Sequence, residues 1–92
     1  MLSTWQGIYN GGRVIGMKDQ YYVEYRDLGL SIAYFRKAKG LSQQQLAESM
    51  KVNAETVSRM ENANTGITAD TLFALSKALG TPLGTLFTHA KL

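Results

Sequence analysis

From Tyr21 onward, apolar residues recur at helical spacing. The steps between them are four, three, four and three residues, which keeps their side chains on one face of a helix. They are Tyr21, Tyr25, Leu28, Ile32 and Phe35. Gly29 interrupts this pattern at a cost of about 1 kcal/mol relative to alanine, and Gly40 stands where a helix commonly ends. The pattern predicts a first helix that is firmest after Gly29.

Two shorter helices follow, each preceded by a residue that can cap it. Ser42 can cap a helix over residues 43 to about 50, and Gln45 stands three residues on, in capping-box spacing. Asn53 can cap another helix over residues 54 to about 62. A side-chain oxygen at either position would accept a hydrogen bond from a backbone amide of the first turn.

The same signals predict two more helices toward the C-terminus. Thr68 opens a helix that Gly80 closes. The expected buried side of this helix comprises Leu72, Leu75, Ala78 and Leu79. Thr81 can cap a short fifth helix through Phe87, with Pro82 at its first position. Five short helices joined by connections of a few residues predict a compact all-α domain.

The connection between the second and third helices is the most informative feature. Residues 51–53 are too few to lay two helices antiparallel, so the helices must cross steeply, as in a helix-turn-helix. Small Ala47 permits close approach, and Val52, Val57 and Met60 are expected to point to the core. The outward face of the third helix is expected to comprise Ala54, Glu55, Ser58, Arg59 and Asn62. A short protruding helix has the width to enter the major groove of DNA.

Residues 1–19 show no helical period and contain four of the nine glycines. The Gly-Gly pair at 11–12 stands between two runs that could pair as a β-hairpin. A disordered arm is the alternative, and a natural start at Met17 is a third. The predicted organisation is an N-terminal extension over residues 1–20 and a helix-turn-helix DNA-binding domain over residues 21–92.

Composition narrows the classes of function. The 92 residues suit one domain. The absence of cysteine excludes disulfides, and the single histidine, His89, leaves no metal-ligand set, so neither a metal nor a cofactor is expected. No activated nucleophile or paired acid and base is present, so no enzyme activity is expected. The net charge of +3 is compatible with nucleic acid without establishing it.

No apolar run reaches the roughly 18 residues of a membrane span. The N-terminus also lacks the basic region and apolar stretch of a secretion signal. We therefore expect a cytoplasmic protein that does not contact membranes.

Two stretches of the sequence resemble the Cro and phage-repressor (XRE-type) family of helix-turn-helix proteins. They read LSQQQLAESMKVNAETVSRMEN and ITADTLFALSKALGTPLGTLF, and the resemblance covers about residues 28–87. The matching positions are Gln43, Ala47, Val57, Glu61, Leu72, Ala78-Leu79 and Leu86-Phe87. Lys51 departs from the family, which usually has glycine there, and a left-handed lysine would cost on the order of 1 kcal/mol. The resemblance implies a lambda-repressor-like fold and a transcriptional regulator, such as a repressor, that binds double-stranded DNA.

Four residues of the third helix are candidates for contacts with bases. Arg59 suits guanine O6 and N7, although it could be an ordinary surface cation. Glu55 could accept from cytosine N4 or serve only as an acid in the first turn of the helix. Ala54 could touch a thymine methyl group or simply be small, and Ser58 is a weaker candidate.

Contacts with phosphates are implied for a second set of residues. The resemblance implies them for Gln43, Asn62 and Asn64; a solvated glutamine is the alternative for Gln43, and Asn64 could instead serve the loop's backbone conformation. Residues 42–67 carry two basic against three acidic side chains, so cations outside that stretch must contribute. Such cations include Lys37 and Lys39, and neutral donors and helix N-termini would also contribute.

The resemblance also implies a structural salt bridge between Arg36 in the first helix and Glu61 at the end of the third. This pairing would explain an acid close to DNA phosphates, because the arginine would neutralise it.

A homodimer on a palindromic operator is expected, because one short helix reads only a few base pairs. The fifth helix would supply the dimer interface through Leu83, Leu86 and Phe87, although these side chains could instead belong to the core. The alternative function is an antitoxin or accessory protein that binds a protein partner. Its contact would be an aromatic group formed by Trp5, Tyr9, Tyr21 and Tyr22.

Overall fold

The computed structural model describes residues 9–10, 13–14 and 20–92. Two short strands, β1 (Tyr9–Asn10) and β2 (Arg13–Val14), pair antiparallel, with Tyr9 opposite Val14. Five helices follow: α1 (Tyr22–Ala38), α2 (Gln43–Met50), α3 (Ala54–Glu61), α4 (Ala69–Leu79) and α5 (Leu83–His89). The predicted order of five helices is confirmed, and the pairing of the two strands is the one expected for a hairpin. Within the described part of the chain, none of the helices has the length and apolar character to cross a membrane.

Side-chain caps begin three of the helices at the residues expected from the sequence. Ser42 and Gln45 form both hydrogen bonds of a capping box at the start of α2. Asn53 accepts from the Thr56 amide at the start of α3, and Thr68 caps α4 in the same way. The three boundaries therefore follow from local polar chemistry.

The start of α5 differs from the prediction by one residue. Pro82, rather than Thr81, occupies the position before the first helical residue, and its side chain makes no capping bond. The Thr81 hydroxyl is buried and donates to the Leu79 carbonyl oxygen at 3.2 Å, so it completes the end of α4 instead. The helix also continues beyond Phe87 to His89.

The core lies where all five helices meet. Its buried side chains are Leu28, Ile32, Leu46, Ala47, Val57, Met60, Leu75, Leu79 and Leu86. The predicted apolar face of α1 is buried only from Leu28 onward, because Tyr21 is 43% exposed and Tyr25 half-buried. Val52 is 37% exposed, so its predicted place in the core is wrong. The turn between α2 and α3 holds that side chain at the surface.

Leu86 is fully buried within a single chain, which corrects its assignment to a dimer interface. Its side chain belongs to the core cluster, and its carbonyl oxygen accepts a hydrogen bond from the Ser31 hydroxyl at 2.8 Å. Leu83 and Phe87 are half-buried against the same cluster. Any surface that α5 offers to a second subunit therefore excludes Leu86.

Gly29 lets α1 and α3 approach closely. A Cβ atom at this position would lie 2.6 Å from the carbonyl oxygens of both Met60 and Glu61. From the sequence, this glycine is only an interruption of the helix. In the structure it is required by packing, because any side chain would collide with the backbone of α3.

Two non-glycine residues, one after α2 and one after α3, have left-handed backbones. Lys51 ends α2 with φ 61° and ψ 40°, where the family usually has glycine. Ala63, just after α3, has φ 58°. The sequence analysis linked this loop's unusual backbone to Asn64, so that interpretation is wrong by one residue. Ala63 is buried, and its methyl group offsets part of the strain by packing.

Candidate nucleic-acid interface

Helix α3 has an inner side fixed in the core and an outer side that faces away from it. Val57 and Met60 are buried on the inner side. On the outer side, Glu55, Arg59 and Asn62 are exposed, as the sequence predicts. Ala54 and Ser58 are half-buried, so they offer less surface to a ligand than the sequence suggested. The outer face therefore consists mainly of polar and charged groups.

A buried ion pair joins α1 to the end of α3. The Arg36 guanidinium donates from Nε to Glu61 Oε2 at 2.6 Å and from Nη2 to Glu61 Oε1 at 3.1 Å. A third bond, from Nη1, reaches the Leu41 carbonyl oxygen at 2.8 Å. The two side chains are only 10% and 6% exposed. The hydrogen bond with Glu61 raises the pKa of Arg36, although burial acts in the opposite direction.

Gln43 extends this pair into a network that spans three helices. Its Nε2 donates to Glu61 Oε1 at 2.9 Å, so the first turn of α2 is tied to the last turn of α3. The Glu61 carboxylate thus accepts three hydrogen bonds and carries a compensated charge. The Arg36–Glu61 pair is the one that the resemblance implies, and together with Gln43 it ties α1 and α2 to the end of α3.

The outer face of α3 carries two contacts between successive turns. Arg59 Nη2 lies 2.8 Å from Glu55 Oε2 in an exposed ion pair. Asn62 Nδ2 donates to the Ser58 carbonyl oxygen at 2.9 Å and to the Ser58 hydroxyl at 3.3 Å. Neither contact was foreseen from the sequence, although both follow from i, i+4 spacing on a helix.

The remaining phosphate candidates lie around the motif. Asn64 and Lys37 are exposed. The Lys39 ammonium lies against Gly80, where a Cβ atom would come within 2.7 Å of it. Gly80 ends α4, and a cation is favoured beside the carbonyl groups at a helix C-terminus. Lys39 therefore has a structural contact in addition to its expected role.

The sequence analysis treated Asn53 only as a cap. Its Oδ1 accepts from the backbone amide and the hydroxyl of Thr56, at 2.9 and 2.8 Å. Its amide nitrogen is then a hydrogen-bond donor at the exposed start of α3. The available signal was its place directly before the first residue of the protruding helix, which makes it a further candidate for contact with DNA.

His89 packs against aromatic rings. Its ring stacks on Tyr34 with centroids 4.3 Å apart and meets Phe35 edge-on at 5.2 Å. Among the residues that the structure describes, no three metal-ligating side chains come together.

Comparisons with known proteins place this geometry in a family. A family model described as helix-turn-helix matches residues 32–86. The competence pilus inhibition repressor of Acinetobacter baylyi is 32% identical over 65 residues, which cover 71% of this chain and 59% of that protein. The chain thus spans about three fifths of the length of that relative.

Two solved structures share the fold. The crystal structure of the clp gene regulator ClgR from Corynebacterium glutamicum superimposes with a TM-score of 0.72 at 25% identity, over 74% of this chain and 72% of that one. The restriction-modification controller protein C.AhdI from Aeromonas hydrophila gives a TM-score of 0.70 at 27% identity, over 73% of this chain and 97% of that one. The chain therefore belongs to the helix-turn-helix family.

Proposed function

We propose that this protein binds a palindromic operator in double-stranded DNA as a homodimer, with α3 of each subunit in the major groove. The observation that carries the proposal is that one side of α3 is fixed to the rest of the domain and the other is exposed. Its inner side is fixed through Glu61 to Arg36 and Gln43, and its outer side presents Glu55 and Arg59. A helix with its side chains is about 10–12 Å across, which fits the roughly 12 Å width of the major groove.

The outer side of α3 would contact the bases. Arg59 is exposed and suited to donate to guanine O6 and N7. Glu55 is suited to accept from cytosine N4. Ala54 and Ser58, being half-buried, would make smaller contacts, such as that of the Ala54 methyl group with a thymine methyl.

Contacts with phosphates would position the subunit on the duplex. Gln43 has a second amide hydrogen beyond the one that binds Glu61, and Asn62, Asn64, Lys37 and Lys39 lie at the surface. The charges of two acids in the motif are compensated, because Glu61 pairs with Arg36 and Glu55 with Arg59. Compensation removes the repulsion that these carboxylates would otherwise exert on phosphates.

The second subunit would pack on the outer side of α5. Leu83 and Phe87 are half-buried there, and the adjoining Gly84, Thr85 and Thr88 are exposed. A symmetric pair formed this way brings the same surface of each subunit together. Such a protein would act in the cytoplasm, with no catalytic step of its own.

A protein-binding role is the second candidate. Tyr21 and Tyr22 are 43% and 50% exposed at the start of α1, and aromatic residues are enriched at protein interfaces. Trp5 and the side chain of Tyr9 lie outside the described residues. This role would make residues 1–20 a partner-binding extension to a DNA-binding domain over residues 21–92. Purification of the full chain from its own cells, with and without residues 1–16, would test whether a partner depends on this segment.

Selection of bound sequences from random duplex DNA tests the main proposal. We expect enrichment of an inverted repeat whose half-site centres lie about 34 Å apart, or a multiple of that spacing. Sedimentation of the selected complex should show two chains per duplex. Absence of any enriched sequence would contradict base reading. An asymmetric site occupied by one chain would contradict the dimer alone.

A further inference from the structure

Glu55 and Arg59 form a single exposed group on the outer side of α3. Their charged ends lie 2.8 Å apart, while the side chains are 68% and 59% exposed. The glutamate precedes the arginine by four residues, the favourable order for such a pair on a helix. A ligand on this side of α3 would therefore meet the two side chains as one bonded pair rather than as two separate contacts.

The pair offers a hydrogen-bond donor and an acceptor side by side. A guanidinium carries five N–H groups, of which the bond with Glu55 uses one. A carboxylate has two oxygens and about four lone-pair sites. Arg59 can therefore donate outward, and Glu55 can accept outward, without breaking their mutual bond.

A G·C base pair presents the complementary arrangement. Its major-groove edge places the guanine acceptors N7 and O6 beside the cytosine N4 donor. The Watson–Crick hydrogen bond holds O6 and N4 about 2.9 Å apart. The donor and acceptor of the ion pair have nearly the same separation. Resting on the function proposed above, we infer that Glu55 and Arg59 read one G·C base pair as a unit, with Arg59 on guanine and Glu55 on its paired cytosine.

Two of the other base pairs fit this ion pair poorly, and the third fits it in part. An A·T pair presents the N6 donor where guanine has O6, and then the thymine O4 acceptor where cytosine has N4. The guanidinium would face a donor and the carboxylate an acceptor. A reversed C·G pair exchanges the two positions. In both mismatches, polar groups lose solvent without gaining partners, which costs binding energy. A T·A pair keeps the acceptor and the donor in the matching order, through thymine O4 and adenine N6. It puts the thymine methyl group where guanine offers N7, so Arg59 loses one of its two acceptors.

A purely structural role for Glu55 makes the opposite prediction. An acid in the first turn of α3 interacts favourably with the helix N-terminus, whatever base lies beside it. Removing its charge would then change binding by the same factor on all duplexes, because Glu55 would contact no base. Reading of cytosine predicts weaker binding on one base pair only.

A chemically modified operator tests the inference with the full chain. The base pair is first located as the one at which Arg59→Ala loses its preference for guanine. Its cytosine is then replaced by N4-methylcytosine, which keeps Watson–Crick pairing but replaces the outward N4 hydrogen with a methyl group. We expect wild-type affinity to fall about tenfold. Glu55→Ala should bind the two duplexes equally.

The matched control is Arg26→Ala on α1. Arg26 is about as exposed as Arg59 and, like Arg59, is paired with an acid, Asp27. It should respond to N4-methylation as wild type does. Equal wild-type affinity for both duplexes, or the same loss in Glu55→Ala as in wild type, would overturn the inference. Failure of the proposed function would differ, because then no base pair would respond to Arg59→Ala.

Discussion

Gly29 of α1 packs directly against the main chain of Glu61 at the end of α3, so closely that a Cβ atom would lie 2.6 Å from the Glu61 carbonyl oxygen. Seven residues later on the same face of α1, Arg36 binds the Glu61 side chain. One residue of α3 is therefore held by α1 through both its backbone and its carboxylate. The direction in which the outer side of α3 faces depends on these two contacts.

Gly29→Ala should lower the free energy of unfolding by about 1–3 kcal/mol, even though alanine is the better helix former. The added methyl group would push α1 away from the backbone of α3. Denaturation by urea, followed by circular dichroism, measures the change.

Gly84→Ala is the matched control, because Gly84 also lies in a helix but a Cβ atom there meets nothing within 4 Å. Alanine should be neutral at this position or stabilise the protein by up to about 1 kcal/mol. Opposite signs for the two substitutions are the expected result. Stabilisation by both would mean that α1 and α3 are not in close contact at Gly29.

Lys51→Gly should raise the free energy of unfolding by about 1 kcal/mol, because glycine adopts the left-handed conformation at φ 61° without strain. Thermal melting of the two proteins at equal concentration measures the shift. Lys37→Gly removes the same side chain from the last turn of α1 and should lower stability by about 1 kcal/mol instead. Loss of stability in both variants would contradict the conformation of the turn.

Arg36→Ala should cost about 3–5 kcal/mol, because it leaves the buried Glu61 carboxylate without its arginine. When Glu61 is already replaced by glutamine, Arg36→Ala should cost less stability, because no buried carboxylate is then left without a partner. The stability losses of the two substitutions should therefore be far from additive in a double-mutant cycle. Additive losses would show that the two side chains do not interact.

The pH dependence of this pair follows from the pKa of Arg36, which the bond with Glu61 raises. A cation whose pKa is raised on folding contributes its stability fully below the unfolded pKa and loses it only as pH rises through the folded one. For an arginine, both lie above the range in which proteins are studied. The coupling energy measured at pH 7 should therefore persist at pH 10.

Local chemistry made much of this fold predictable. Ser42, Asn53 and Thr68 cap helices through bonds that reach three residues along the chain, so the sequence alone could place them. Val52 and Leu86 were harder, because their burial depends on how distant helices pack. The need for glycine at position 29 could not be predicted for the same reason, since it comes from the backbone of Met60 and Glu61 in α3.

The candidate site was likewise predictable only in part from the sequence. The exposure of Glu55 and Arg59 follows from helical periodicity, whereas their mutual bond depends on the rotamers that both side chains adopt. The partial burial of Ala54 and Ser58 depends on contacts with other helices, which helical periodicity does not reveal. Left-handed backbone at Ala63, rather than at Asn64, depends on how the chain leaves α3.

Thr85→Glu should weaken self-association at least about tenfold without changing the fold, because a symmetric α5 interface would bring two carboxylates together. The residue is exposed in the single chain, so the monomer should tolerate the change. Ala69→Glu adds the same charge at an exposed position in the first turn of α4 and should leave association unchanged. Sedimentation equilibrium measures both, and an unaltered dimer in Thr85→Glu would exclude this face.

The most direct test of base reading by α3 compares wild type and Arg59→Ala on the selected operator and on one with its guanine replaced. Wild type should prefer the operator by roughly 1–3 kcal/mol per half-site, and Arg59→Ala should lose affinity for the operator and bind the two duplexes alike. Weakening of the same size on both duplexes would reduce Arg59 to a phosphate contact. If Arg59→Ala bound each duplex as tightly as wild type binds that duplex, the placement of α3 in the groove would be contradicted.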